Sequence, residues 1–123
     1  MTEPKRILVV EDDPAIAHLL RLMLEDEGYR VSETRDPTSL VAAAVPPPDL
    51  VLLDLRLSGA DGGEVCRRLK GQAATKHVPV VLISADPRAA AVARACGADA
   101  VLAKPFDLDD ALALVRRLLR EAG

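Results

Sequence analysis

Short apolar runs and longer stretches of helical spacing alternate along this chain, with few residues to spare between them. Residues 7–10 (ILVV) read as a buried strand stopped by Glu11. Asp13-Pro14 then gives a helix-start signal, an N-cap acid followed by proline at the first helical position. Ile16, Leu19, Leu20 and Met23 recur at the spacing of one helical face, and Gly28 supplies the stop. Residues 29–34 are less apolar and predict an edge strand. Asp36-Pro37 repeats the helix start, Leu40, Val41, Ala44 and Val45 give that short helix its apolar face, and Pro46, Pro47 and Pro48 end it. Residues 50–53 form the next buried strand, ending at Asp54. A loop through Ser58, Gly59 and Asp61 leads to a helix over about 62–70, closed by Gly71. Residues 78–83 predict a fourth strand. Asp86-Pro87 gives the start signal a third time, Gly97 ends the alanine-rich helix that follows, and residues 100–103 predict a fifth strand. After Lys104-Pro105, Asp107 can cap a last helix in which Leu108, Leu112, Val115 and Leu119 share a face.

Five strands and five helices in strict alternation predict an α/β fold: a parallel sheet, right-handed crossovers, and helices on both sides. A length of 123 residues fits one domain over residues 1–123, with no linker or repeat. Half the residues are hydrophobic, yet the aromatic ones are Tyr29 and Phe106 alone, so the core must be aliphatic. The net charge of -3, from 16 basic and 19 acidic residues, argues against nucleic acid or an anionic membrane as the main partner. No apolar run approaches the roughly 18 residues of a membrane span, and the N-terminal run is too brief for a signal peptide. Cys66 and Cys96 lack ligand-like spacing and are expected as buried, inert thiols, although sequence leaves a disulfide open. The cytoplasm is the expected setting.

In an open parallel sheet, ligands bind beyond the carboxyl ends of the strands. The first strand ends in Glu11-Asp12-Asp13, the third in Asp54, the fourth in Ser84 and the fifth in Lys104. Four strands therefore deliver acids, a hydroxyl and an amine to one rim. Carboxylates so gathered repel one another unless a cation sits among them, and a hard divalent ion such as Mg²⁺ takes oxygen ligands of this kind. A metal and a lysine can together neutralise a transferring phosphoryl group while a carboxylate attacks it. Asp13, Asp36 and Asp107 read more simply as helix caps. Asp54 follows four apolar residues and precedes neither proline nor a helix, so capping explains it poorly. His18 and His77 lack partner acids at ligand spacing. Arg67, Arg68 and Lys70 read as a solvated helix face, and Arg116, Arg117 and Arg120 suit a helix C-terminus.

The segments Ile7-Leu8-Val9-Val10-Glu11-Asp12-Asp13, Leu52-Leu53-Asp54-Leu55, Asp61-Gly62, Leu82-Ile83-Ser84-Ala85 and Lys104-Pro105-Phe106 resemble, in order and spacing, the receiver domain of bacterial two-component response regulators. The resemblance implies a flavodoxin-like sheet of strand order 2-1-3-4-5. It implies Asp54 as acceptor of a phosphoryl group from a histidine kinase or phosphotransfer protein. Asp12 and Asp54 would bind Mg²⁺ directly, Glu11 through water, and the backbone carbonyl of Arg56 as a further ligand. Ser84 and Lys104 would hold phosphoryl oxygens, and the Lys104-Pro105 bond would be cis. Phosphorylation would alter the surface of the fourth helix, fifth strand and fifth helix, which faces an output domain or protein partner and allows a phosphorylation-dependent homodimer. Such a domain is a regulator, catalysing only its own phosphorylation and dephosphorylation. Arg56 and Asp86 stand where the family tunes phosphoryl lifetime. Val101 replaces a usual aromatic, Ser58 a common proline and Ser84 a threonine. An aspartate-nucleophile phosphohydrolase would need a second acid where Arg56 stands. A receiver that only binds partners would fail to accept phosphate, and a nucleotide-binding Rossmann domain would need glycines where Glu11-Asp12-Asp13 stand.

Overall fold

Alternation within each strand sorts the aliphatic residues onto two faces of one sheet, and this sorting organises the fold. The computed structural model describes residues 3–35, 47–57 and 59–122. The short helix expected from Asp36-Pro37 through Val45, and Ser58, lie outside the described residues. Among those described, the strands are β1 (Arg6–Val10), β2 (Arg30–Thr34), β3 (Leu50–Asp54), β4 (Arg56–Leu57), β5 (Ala60–Asp61), β6 (Val80–Ser84) and β7 (Ala100–Ala103). The helices are α1 (Pro14–Asp26), α2 (Gly62–Lys70), α3 (Ala89–Cys96) and α4 (Leu108–Ala122). The main sheet has the order β2-β1-β3-β6-β7, and every neighbouring pair is parallel. This is the expected 2-1-3-4-5 order of a flavodoxin-like fold.

Ile7, Val9, Leu50, Leu52, Val81 and Ile83 face one way and pack with Leu20 and Leu24 of α1 and Val115 and Leu119 of α4. Val10, Val51, Leu53, Val80 and Leu82 face the other way, against Val65 and Leu69 of α2 and Ala89 and Ala93 of α3. All five residues of β3 and all five of β6 are buried, as a parallel sheet covered on both sides requires.

The helix boundaries follow their caps. Asp13 Oδ1 accepts from the amides of Ala15 and Ile16, with Pro14 at the first helical position. Asp107 Oδ1 accepts from Asp109 N at the start of α4. Gly97 closes α3 in the left-handed region at φ 84°, a conformation that costs glycine little. Two faces are rotated from expectation. In α1 the core takes Ala17, Leu20 and Leu24, leaving Leu19 exposed. In α4 it takes Ala111, Val115, Leu118 and Leu119, leaving Leu108 exposed.

Lys70 departs from its reading as a solvated residue. Its ammonium donates to Val78 O and to Asp99 Oδ2, both at 2.8 Å, while Asp99 Oδ2 also accepts from Val80 N at 2.8 Å. This strut joins α2, the approach to β6 and the turn before β7. Arg67 and Arg68, by contrast, pair with Glu64 on the exposed helix surface.

Cys66 and Cys96 are free and buried. Burial, with the neighbouring Cys96 adding to it, pushes the Cys66 thiol up to about 12. A disulfide reagent at pH 8 is therefore expected to leave Cys66 untouched in the folded chain and to react with it fully in denaturant. The unfolded thiol loses its proton first, so the Cys66 contribution to stability should fall as pH rises from the ordinary value of 9.0 toward about 12. Rapid labelling of Cys66 in the native protein would contradict this placement.

Candidate functional site at the carboxyl ends of the strands

Sheet register builds the site. Val10 is level with Leu53, so Glu11, one residue further, stands abreast of Asp54. Asp54 is level with Ile83, and Ser84 with Ala103, which places Ser84 and Lys104 one step beyond on the adjoining strands. The ladder continues past the strand ends: Leu55 N donates to Ile83 O and Lys104 N to Ser84 O, each at 2.9 Å. The Lys104–Pro105 peptide is cis, as the resemblance implies.

Glu11, Asp54 and Ser84 are 2%, 6% and 5% exposed, so the acids have little water to solvate them. Lys104 Nζ answers this by lying 2.9 Å from Glu11 Oε1 and 3.3 Å from Asp54 Oδ2. The Glu11 contact is an ion pair without hydrogen-bond alignment, which leaves Oε1 a buried oxygen with no hydrogen-bond partner. Burial first, and then the adjoining Asp54 carboxyl, push Glu11 up to about 7, against the opposing pull of Lys104 and the Asp13 amide. Burial acts to lower Lys104, but pairing with Glu11 and Asp54 outweighs it and holds the ammonium above the ordinary lysine value. Asp12, next in the chain, is half-buried.

Asp54 Oδ1 accepts from Arg56 N at 3.2 Å, and Ser84 Oγ accepts from Asp86 N at 2.8 Å, which leaves the serine proton available to donate. A cleft of about 580 Å³ opens here, lined among others by Asp54, Ser84 and Lys104 together with Arg56, Asp86 and Arg88. Arg56, Asp86 and Arg88 also line an adjoining groove that includes Leu55, Leu57, Ala60 and Val92.

Two features escaped sequence reasoning. The loop after Asp54 is pinned as an antiparallel hairpin, β4 with β5, pairing Arg56 with Asp61 and Leu57 with Ala60. Gly59 within it, at φ 74°, is its one local signal. Asp61 then caps α2 through Gly63 N at 2.9 Å. The second feature is the start of α3. It begins at Ala89 rather than Pro87, with Arg88 at the N-cap and no side-chain cap bond. The Asp86 carboxylate is engaged instead with Arg88 N at 2.8 Å and with two guanidinium groups. His18 and His77 are exposed.

Among the described residues, no group of three His, Cys, Asp or Glu side chains closes on a point where a metal ion could sit; Glu11 and Asp54 are turned to Lys104. The donor set nevertheless suits a hard cation, since Mg²⁺ needs only one or two carboxylates and keeps several waters, and Glu11 Oε1 is a buried carboxyl oxygen without a hydrogen-bond partner.

The family description "Response regulator receiver domain" matches residues 7–116. The chain belongs to that family. The receiver is 42% identical over 118 residues to the DNA-binding dual master transcriptional regulator RpaA of Synechocystis, which covers 94% of this chain and 49% of RpaA. It thus spans about half the length of that relative. Among solved structures, the signal receiver domain of a histidine kinase from Syntrophus aciditrophicus superposes with a TM-score of 0.87 and 35% identity, covering 95% of this chain and 91% of that one. The receiver domain of a sensor histidine kinase from Pseudomonas aeruginosa, described with a magnesium ion coordinated in its active site cleft, gives 0.85 and 28%, covering 94% and 98%. The receiver is therefore a regulatory domain of two-component signalling. No helix among its described residues is long and apolar enough to cross a membrane.

Proposed function

We propose that this receiver accepts a phosphoryl group on Asp54 from a histidine kinase or phosphotransfer protein. The observation that carries the reading is Lys104 Nζ, held between Glu11 Oε1 at 2.9 Å and Asp54 Oδ2 at 3.3 Å, in a buried cluster at the carboxyl ends of the strands. Glu11, Asp12, Asp54 and the backbone carbonyl of Arg56 would hold Mg²⁺, which when bound neutralises charge on the phosphoryl oxygens. Magnesium in the cleft of the Pseudomonas receiver supports this assignment.

In the transfer, an Asp54 carboxylate oxygen attacks phosphorus while the bond to the donor's imidazole nitrogen breaks, its electron pair leaving with that nitrogen. Lys104 offers a cation to one phosphoryl oxygen, and Ser84, its acceptor side already taken by Asp86 N, donates to another. Both interactions strengthen as charge spreads over those oxygens. The aspartyl phosphate then biases the surface of α3, β7 and α4 toward the state read by an output domain or protein partner, or by a second copy of the chain.

The test is Mg²⁺-dependent labelling by acetyl phosphate, followed by intact mass. Wild type is expected to gain one phosphoryl group, and Asp54→Ala none. Equal labelling of the two proteins would displace Asp54 from the role, and no labelling of wild type would leave a receiver that works by binding alone.

A further inference from the structure

We propose that Arg88, through the Asp86 carboxylate that it shares with Arg56, ties the phosphorylation state of Asp54 to the first turn of α3 and so acts as a positioning residue for the output helix. The inference rests on Asp54 as phosphoacceptor and concerns side chains outside the transfer chemistry. Arg56 and Arg88 each reach Asp86 Oδ2 at 3.1 Å, and Arg88 Nε lies 3.3 Å from Oδ1. The Asp86 side chain is 9% exposed while the guanidinium-bearing chains are 77% and 78% exposed. Asp86 is therefore the anchored point, and the arginines are arms folded onto it from outside. The two-point contact from Arg88 is the fork geometry that guanidinium makes with carboxylates and phosphates.

Each end of this cluster touches the site. Arg56 N donates to Asp54 Oδ1, and Asp86 N donates to Ser84 Oγ. On the far side, Asp86 holds the beginning of α3: its carboxylate accepts Arg88 N at 2.8 Å and its carbonyl accepts Ala89 N at 3.0 Å. That helix has no other side-chain cap, so what happens at Asp86 decides how its first turn is held. The arginines, and Arg88 first, keep the Asp86 carboxyl below its ordinary value and so ionised.

An aspartyl phosphate replaces the single negative charge of the Asp54 carboxylate with roughly two on the phosphoryl group, in a cleft that these guanidinium-bearing residues line. The new anion competes with Asp86 for them. A Ser84 hydroxyl turned to the phosphoryl oxygen draws on the Asp86 amide at the same time. Two arrangements follow, one with the arginines folded on Asp86 and one with Asp86 released and the turn at 86–89 free to reset.

Hydrogen exchange on the full chain, with and without acetyl phosphate and Mg²⁺, tests this, with intact mass scoring occupancy of Asp54 in each sample. Phosphorylation of wild type is expected to change protection over residues 86–96. Arg88→Ala is expected to reach wild-type occupancy while that change shrinks about fivefold, a coupling at the low end of those seen between linked sites. Arg88→Lys, which keeps the charge and loses the fork, should fall between the two. A wild-type response in phosphorylated Arg88→Ala, or no change at 86–96 in phosphorylated wild type, would overturn the coupling. Absent labelling of wild type would instead overturn the phosphoacceptor reading beneath it.

Discussion

Lys104→Met is expected to cost the folded chain about 3 kcal/mol at neutral pH without Mg²⁺, measured by urea unfolding. Removing one partner of a buried ion pair typically costs 3–5 kcal/mol because the other charge is left uncompensated. Here two carboxylates would lose their shared counter-ion, one of them essentially without contact with water, while the lysine side chain itself is 22% exposed. That partial exposure puts the effect at the lower end of the range. Addition of Mg²⁺ should return part of the loss by supplying another cation to the same oxygens. The comparison is Arg116→Met, which breaks the surface pair with Glu27 and should cost under about 1 kcal/mol. A Lys104→Met loss no larger than that of Arg116→Met would mean that the ammonium does not hold the acid cluster together.

Gly62→Ala is expected to be the most damaging alanine substitution among the described glycines. A Cβ at Gly62 would stand 2.3 Å from Asp54 O, 2.7 Å from Leu55 Cα and 3.0 Å from Leu55 O. Every one of these is backbone, so no rotamer change relieves the clash, and Gly62 N must also keep its bond to Leu55 O at 2.8 Å. The expected cost is about 3 kcal/mol, the upper part of the range for overpacking. Because the atoms displaced carry Asp54, phosphorylation by acetyl phosphate should slow by about 10²-fold in the protein that does fold. Gly63→Ala meets chiefly the Val92 side chain, with Cγ1 at 2.9 Å, which can turn away. Gly28→Ala meets nothing within 4 Å and carries only the left-handed backbone penalty, about 1 kcal/mol. Equal losses at positions 62 and 63 would show that the loop after Asp54 has room to move.

The sheet and the acids were legible because both depend on features that a sequence carries locally. Four apolar residues between turn signals, followed by Asp54, read as a buried strand with its acid at the rim, and the same argument places Glu11, Ser84 and Lys104. Choices among equivalent residues were not legible. Leucines at 19, 20, 22 and 24 offer α1 several apolar faces, and the neighbouring sheet, not the helix, selects the one through Ala17, Leu20 and Leu24. Asp86-Pro87 carries the same start signal as Asp13-Pro14, yet only Asp13 caps its helix directly. Asp86 is drawn off by arginines, one of them 30 positions away in sequence. Lys70 looked like its solvated neighbours because its partners, Val78 and Asp99, come to it only when α2 has docked on the sheet. The hairpin of β4 and β5 is two residues on a side, below the length at which alternation can be read.

The Lys70–Asp99 strut has a consequence for how such a regulator can diversify. It fastens the end of the sheet where the strands begin and shares no residue with the loops at the end where they finish. Arg56 and Arg88 project mostly into solvent. Under the proposed coupling, the strength of the output can therefore be retuned at Arg88 with melting temperature held nearly constant, so that one scaffold can serve strong and weak outputs alike.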